Sequence, residues 1–243
     1  LAWRIAATEE MTSAFDYEAL NDEAKMSYDL WVYQTEQAKK SFEFIDYGYV
    51  FNQMQGVHTF LPTFMINFHK VESESDMLAY ISRLNQVQRG MDQLIAQART
   101  SAEKGIRPPK FAFETVREEV LKLIAGAPFS EGDDAALWAD AQGKINQLLE
   151  KELITAERAD ELKAQASAAL LESFEPAYRK IIASLDEDEP NAVANPTGVA
   201  GSVPNGAAFY EERLANQTTT GMTADQIHAL GLKEVARIRA ASP

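Results

Sequence analysis

Between residues 74 and 103, Met77, Ile81, Leu84, Val87, Met91, Leu94 and Ala98 recur at steps of three and four. That spacing sets all of them on one side of an α-helix, whereas a β-strand would send every second residue to the opposite face. It predicts a long amphipathic helix over 74–103, with Ser73 as its N-cap. Gly105 and the pair Pro108-Pro109 stop it, because glycine accepts the left-handed cap conformation and proline cannot continue a helix.

The same periodicity runs through most of the chain. Ala24, Tyr28, Trp31, Thr35, Ala38, Phe42 and Ile45 predict a helix over 22–46, with Glu36, Lys39, Lys40 and Glu43 on its other faces. Phe113, Val116, Val120, Leu121 and Ile124 predict another over 112–125. A further helix starts at Asp133 or Asp134, carries Leu137, Trp138, Ile145, Leu148 and Leu149, and tolerates Gly143 in its middle. Thr155 caps the next, which runs through Leu162 and Leu170 until Pro176 imposes a kink or a restart, and Tyr178, Ile181, Ile182 and Leu185 then resume the pattern. A short helix over 207–215 and a longer one over 224–239 follow, the latter opened by the capping-box pair Thr223 and Gln226. With only 12 Gly and 9 Pro in 243 residues and 46% hydrophobic content, the expected fold is all-α, an irregular array of many helices around a sizeable core.

Fourteen of the 23 aromatic residues lie between Trp3 and Phe68, which points to the N-terminal third as the thickest part of that core. The segment 47–68 fits no clean period. Its Asn52, Gln53 and His58, set among aromatics, either line a groove or satisfy one another in the interior. Pro190, Pro196, Pro204, Gly198, Gly201 and Gly206 break up residues 186–206, and 21 residues exceed the roughly 12–15 usual for a structureless loop in a compact domain. The organisation expected is a helical domain over 1–185, a loop or linker over 186–206, and the start of a second helical portion over 207–243. Ile227, Leu230, Val235 and Ile238 leave that last portion with an apolar face that no later residue covers, as in a chain cut short. No fixed-period repeat occurs.

A net charge of −14 repels nucleic acid and anionic membrane surfaces. No run of 18 apolar residues supplies a transmembrane segment. The chain has no cysteine, hence no disulfide, thiolate metal site or cysteine nucleophile. A zinc hydrolase of the HExxH type needs two histidines one helical turn apart, and His58, His69 and His228 are neither followed by Glu nor so spaced. GxSxG, P-loop and GxGxxG signals are missing as well. No catalytic residue and no metal ligand can be assigned. The pairs Glu118-Glu119 and Glu211-Glu212 read as solvated helix faces. In Pro204-Asn205-Gly206-Ala207-Ala208-Phe209-Tyr210, an Asn-Gly turn opening a helix either aims backbone N–H groups at a ligand or simply joins loop to helix.

The order of several segments resembles the bacterial family catalogued as domain of unknown function 885. They are Phe51 to His58, Tyr80-Ile81-Ser82-Arg83-Leu84, Gly105 to Pro109, Phe174-Glu175-Pro176-Ala177-Tyr178, Pro204 to Tyr210, Thr218-Thr219-Thr220 and Gln226 to Leu232. The resemblance covers nearly the whole chain. It implies an almost all-helical, zincin-like peptidase, exported to the periplasm and in some bacteria held at the envelope by a lipid anchor, which here would lie upstream of Leu1. It also implies a longer protein whose HExxH-type helix lies well downstream of Ile227-His228. On that reading zinc belongs to the full-length protein, no cofactor belongs to this chain, and a peptide substrate meets Asn205, Gly206 and Tyr210. The alternative is a non-catalytic helical module that binds a protein or peptide partner.

Overall fold

The computed structural model describes residues 1–54 and 56–241; Gln55 of the aromatic segment and the last two residues of the 207–243 portion lie outside it. The fold is all-α. Its helices are α1 (Ala2–Ala14), α2 (Asp22–Phe42), α3 (Val57–Asn67), α4 (Glu74–Asn85), α5 (Val87–Glu103), α6 (Lys110–Leu123), α7 (Ala136–Glu150), α8 (Ala156–Ala169), α9 (Glu175–Asp188), α10 (Val199–Ser202), α11 (Gly206–Thr218) and α12 (Ala224–Ala241). No strand occurs among the described residues, where Ala127 and Asp134 form only an isolated bridge. No described helix is long and apolar enough to cross a membrane.

Contacts divide the chain into two units, one of residues 49–196 and one joining residues 1–48 to residues from 197 onward. The hydrophobic core lies in the 49–196 unit, where Met65, Met77, Tyr80, Leu84, Ile145, Leu162, Leu170, Phe174, Tyr178 and Ile181 are sealed from solvent. The aromatic N-terminal third supplies only a small share of it, through Phe51 and Met65 with Phe64 packed alongside. Trp3 is 75% exposed and Phe15 57%, so much of that aromatic set lies at the surface.

The long helix expected over 74–103 is two. Its stripe is buried as the spacing requires, and Ser73 forms a full capping box with Asp76. At Gln86, however, the backbone leaves helical geometry (φ −97°, ψ 0°), so α4 lies against α7 and α8 while α5 follows α9. Past α5, Ile106 N–H donates to Ser101 O (2.9 Å) and Gly105 N–H to Ala102 O (2.9 Å), with Gly105 at φ +76° and Ile106 buried. This is the Schellman closure that a glycine at that position permits.

Pro176 produces a restart. Residues 170–174 widen into one π-helical turn before α9 begins, with Pro176 in its first turn. Proline cannot bond the carbonyl four residues back, and the widened turn relieves the clash. That carbonyl, Glu172 O, accepts instead from Gln88 Nε2 at 3.0 Å. Phe174 is thereby aimed inward, stacked on Tyr178 with ring centroids 4.0 Å apart.

α9 extends through the acidic run to Asp188. Carboxylates at a helix C-terminus oppose the dipole, and cations offset them here. Arg99 meets Glu187 (2.9 Å), Arg107 meets Asp188 (2.8 Å), and Arg117 bridges Asp186 and Glu189.

Candidate functional site

In the other unit, α2 presents two faces. One carries Trp31 and Thr35 toward α1, where Thr35 is a polar hub: Arg4 Nε donates to its hydroxyl (3.0 Å), Thr8 Oγ1 lies 3.0 Å away, and Thr35 donates to Trp31 O (2.9 Å). The indole N–H of Trp31 donates to Thr8 Oγ1 (2.8 Å), and the Arg4 guanidinium lies over the indole at 4.4 Å. The opposite face of α2 turns to α11.

Asn205 and Gly206 set the start of α11. Asn205 takes the left-handed conformation (φ 52°, ψ 24°), which asparagine tolerates better than most residues. At Gly206 a β-carbon would stand 2.1 Å from Val199 O, so only glycine lets α10 cross so close. Tyr47 O–H donates to Pro204 O (2.9 Å), and Phe209 packs against Phe44 and Tyr47 at 5.5 and 5.0 Å.

A cleft of about 550 Å³ lies between these helices. Tyr33, Gln37, Lys40 and Phe44 form one wall at steps of four, three and four; Ala208, Glu212, Ala215 and Thr219 form the other at the same steps, with Thr220 and Gly221 closing its end. Glu212 has a side chain only 10% exposed, accepts from Ser41 Oγ (2.6 Å) and is paired with Arg213. Burial pushes its carboxyl upward, but the hydrogen bonds from Arg213 and Ser41 outweigh burial and hold it below the usual carboxylate range. It is ionised at neutral pH. Thr219 adopts φ 53° at the end of α11, a strained conformation for a β-branched residue. Its hydroxyls, amide, carboxylate and ammonium are groups that can hold a polar ligand.

Asn205 and Gly206 therefore shape the helix that forms one wall without lining the cleft. Tyr210 is 44% exposed and, two positions from both Ala208 and Glu212, lies on the other side of α11. None of the three lines the α2–α11 cleft. Sequence reasoning placed Glu212 and Lys40 on solvated faces; the signal it missed is the second stripe on α2, Tyr33-Gln37-Lys40, which Phe44 continues just past the helix end.

The other carboxylate pair behaves alike. Glu118 is exposed, while Glu119 Oε2 lies 2.7 Å from Nε2 of the fully buried His58. Among the described residues the Nδ1 of that ring has no hydrogen-bond partner. Asn52 donates to Tyr49 O (3.1 Å) and accepts from Met54 N–H (3.0 Å) within the aromatic segment, while Val57, Phe60, Leu61 and Phe64 line a cleft of about 470 Å³. His69 is buried in the 49–196 unit; burial first, and then the Arg83 charge, lower its pKa. Arg83 donates to Nδ1 (2.9 Å) and the Nε2–H donates to Asp76 O (3.2 Å), as a neutral imidazole requires. His228 is exposed on α12. Among the described residues no three His, Asp or Glu side chains converge to hold a metal ion.

The profile of a family described as a bacterial protein of unknown function, DUF885, matches residues 1–242. The chain belongs to this family. A solved structure of similar fold is described as a "putative lipoprotein from Colwellia psychrerythraea"; it superposes with a TM-score of 0.69 at 22% identity over 79% of this chain. The chain spans only 32% of the Colwellia protein's length. No functionally curated protein matches.

Proposed function

We propose that this chain forms the helical, substrate-facing portion of a zinc-dependent, peptidase-like hydrolase acting at the cell envelope. The α2–α11 cleft carries the reading. Two helix faces offer hydroxyl, amide, carboxylate and ammonium groups over small alanines, a surface suited to an extended peptide held by its backbone and one charged end. The family resemblance supports a zinc site in a longer chain as the source of bond breaking. The 32% coverage of the Colwellia protein agrees with that, as does its description as a lipoprotein with an envelope location. The apolar face of α12, with Leu232 61% and Ile238 54% exposed, agrees too, since such a face calls for a protein cover. In this reading Asn205 and Gly206 serve substrate binding by fixing α11, and Tyr210 meets a substrate that extends around the helix.

Metal analysis and a peptide-library assay on the whole product of the gene test it. About one zinc per chain is expected, with cleavage that stops on chelation and returns with zinc. A zinc-free product, or cleavage indifferent to chelation, overturns the proposal. A non-catalytic peptide-binding module is favoured by a separate observation, an apolar groove of about 530 Å³ lined by Met11, Phe15, Leu20, Tyr28 and Trp31. Peptide binding without cleavage by the whole product would select that reading.

A further inference from the structure

The 49–196 unit holds a cleft of about 460 Å³ between the α3–α4 connection and α7, and its lining does not follow the acidic character of the chain. Lys70, Lys144 and Lys151 face it against two carboxylates, Glu72 and Asp140. Lys144 is already committed: its ammonium donates to Met65 O (2.8 Å), where it neutralises the C-terminal end of α3, and to Asp140 (2.6 Å), which also accepts from Tyr80 O–H (3.0 Å). That network fixes the floor. Among the described residues the ammonium groups of Lys70 and Lys151, one on each wall, make no hydrogen bond or ion pair, although the chain carries 37 acidic residues against 23 basic ones. Asn67 and Gln147 add amide groups to the same walls.

Gly143 adds room on one wall, as Gly90 and Gly231 do on other helices. It lies in the interior of α7 and lines the cleft, and a β-carbon there would meet nothing within 4 Å. Glycine is among the poorest formers of a helix interior, and packing does not require one at this position. What its missing side chain does is leave the helix backbone bare where the cleft is open. We propose that this cleft is a binding site for a small oxyanion, a carboxylate or a phosphate, held between Lys70 and Lys151 and seated against Gly143. The site is distinct from the α2–α11 cleft and does not depend on the function assigned to it.

Titration calorimetry of the full chain with inorganic phosphate and, separately, with succinate tests the site and tells the two sources of oxyanion apart. Saturable binding of at least one probe is expected. Lys70→Ala and Lys151→Ala should each weaken it about tenfold. Gly143→Ala should raise the melting temperature by about 2–4 °C while weakening binding several-fold, which a merely structural glycine would not do. Equal affinity in the Lys70→Ala/Lys151→Ala double variant, unchanged affinity in a stabilised Gly143→Ala variant, or no binding of either probe overturns the proposal.

Discussion

Thr219 holds a left-handed backbone that costs a β-branched residue about 1–2 kcal/mol. Its neighbours hold it there: Thr218 Oγ1 donates to Leu214 O (2.8 Å) and lies 2.9 Å from Thr220 Oγ1, which accepts from Met222 N–H (3.3 Å). Thr219→Gly relieves the strain, so thermal melts should show a gain of about 1 kcal/mol, together with weaker peptide binding if the Thr219 hydroxyl is used in the cleft. Thr35 is the opposite case, a residue whose hydroxyl joins α1 to α2. Thr35→Val keeps the shape and removes the shared partner of Arg4 and Trp31, so a loss of about 1–2 kcal/mol is expected, with faster hydrogen exchange confined to α1 and its contact on α2.

Among the elements, the α10–α11 crossing depends most on a single residue. Gly206→Ala would press a methyl group onto Val199 O, and a loss of about 1–3 kcal/mol is expected from chemical denaturation, with the crossing displaced. Helix positions were legible in the sequence because three- and four-residue spacing is a direct consequence of helix geometry, and the caps at Ser73, Thr155 and Thr223 are where side-chain chemistry puts them. The break at Gln86 was not legible, since the apolar stripe continues across it and the redirection comes from which helices α4 and α5 meet. Nor was the inward turn of Glu212 and Glu119: adjacent carboxylates look alike in sequence, and only the partners on α2 and α3 distinguish them. Of the candidate site, the Asn205-Gly206 turn was visible; the second face of α2 was hidden under residues that read as ordinary solvated charge.

For the molecule as a whole, charge acts in two directions. At −14, acidification relieves self-repulsion and favours the folded state. Glu189 opposes this: the hydrogen bond from Arg117 holds its pKa below the usual value, so its contribution is present above the unfolded pKa and is lost as pH falls through the folded one. Arg117→Ala removes that contribution, and the stability difference between wild type and variant should shrink as pH falls through the carboxylate range; a constant difference would contradict it. The central claim is that the α2–α11 cleft faces a peptide. Amide NMR of the full chain titrated with short peptides, in wild type and in Glu212→Gln, tests it most directly. The account predicts saturable shifts at Gln37, Lys40, Thr219 and Thr220 that weaken in the variant, whereas shifts confined to other surfaces, or none at all, would contradict it.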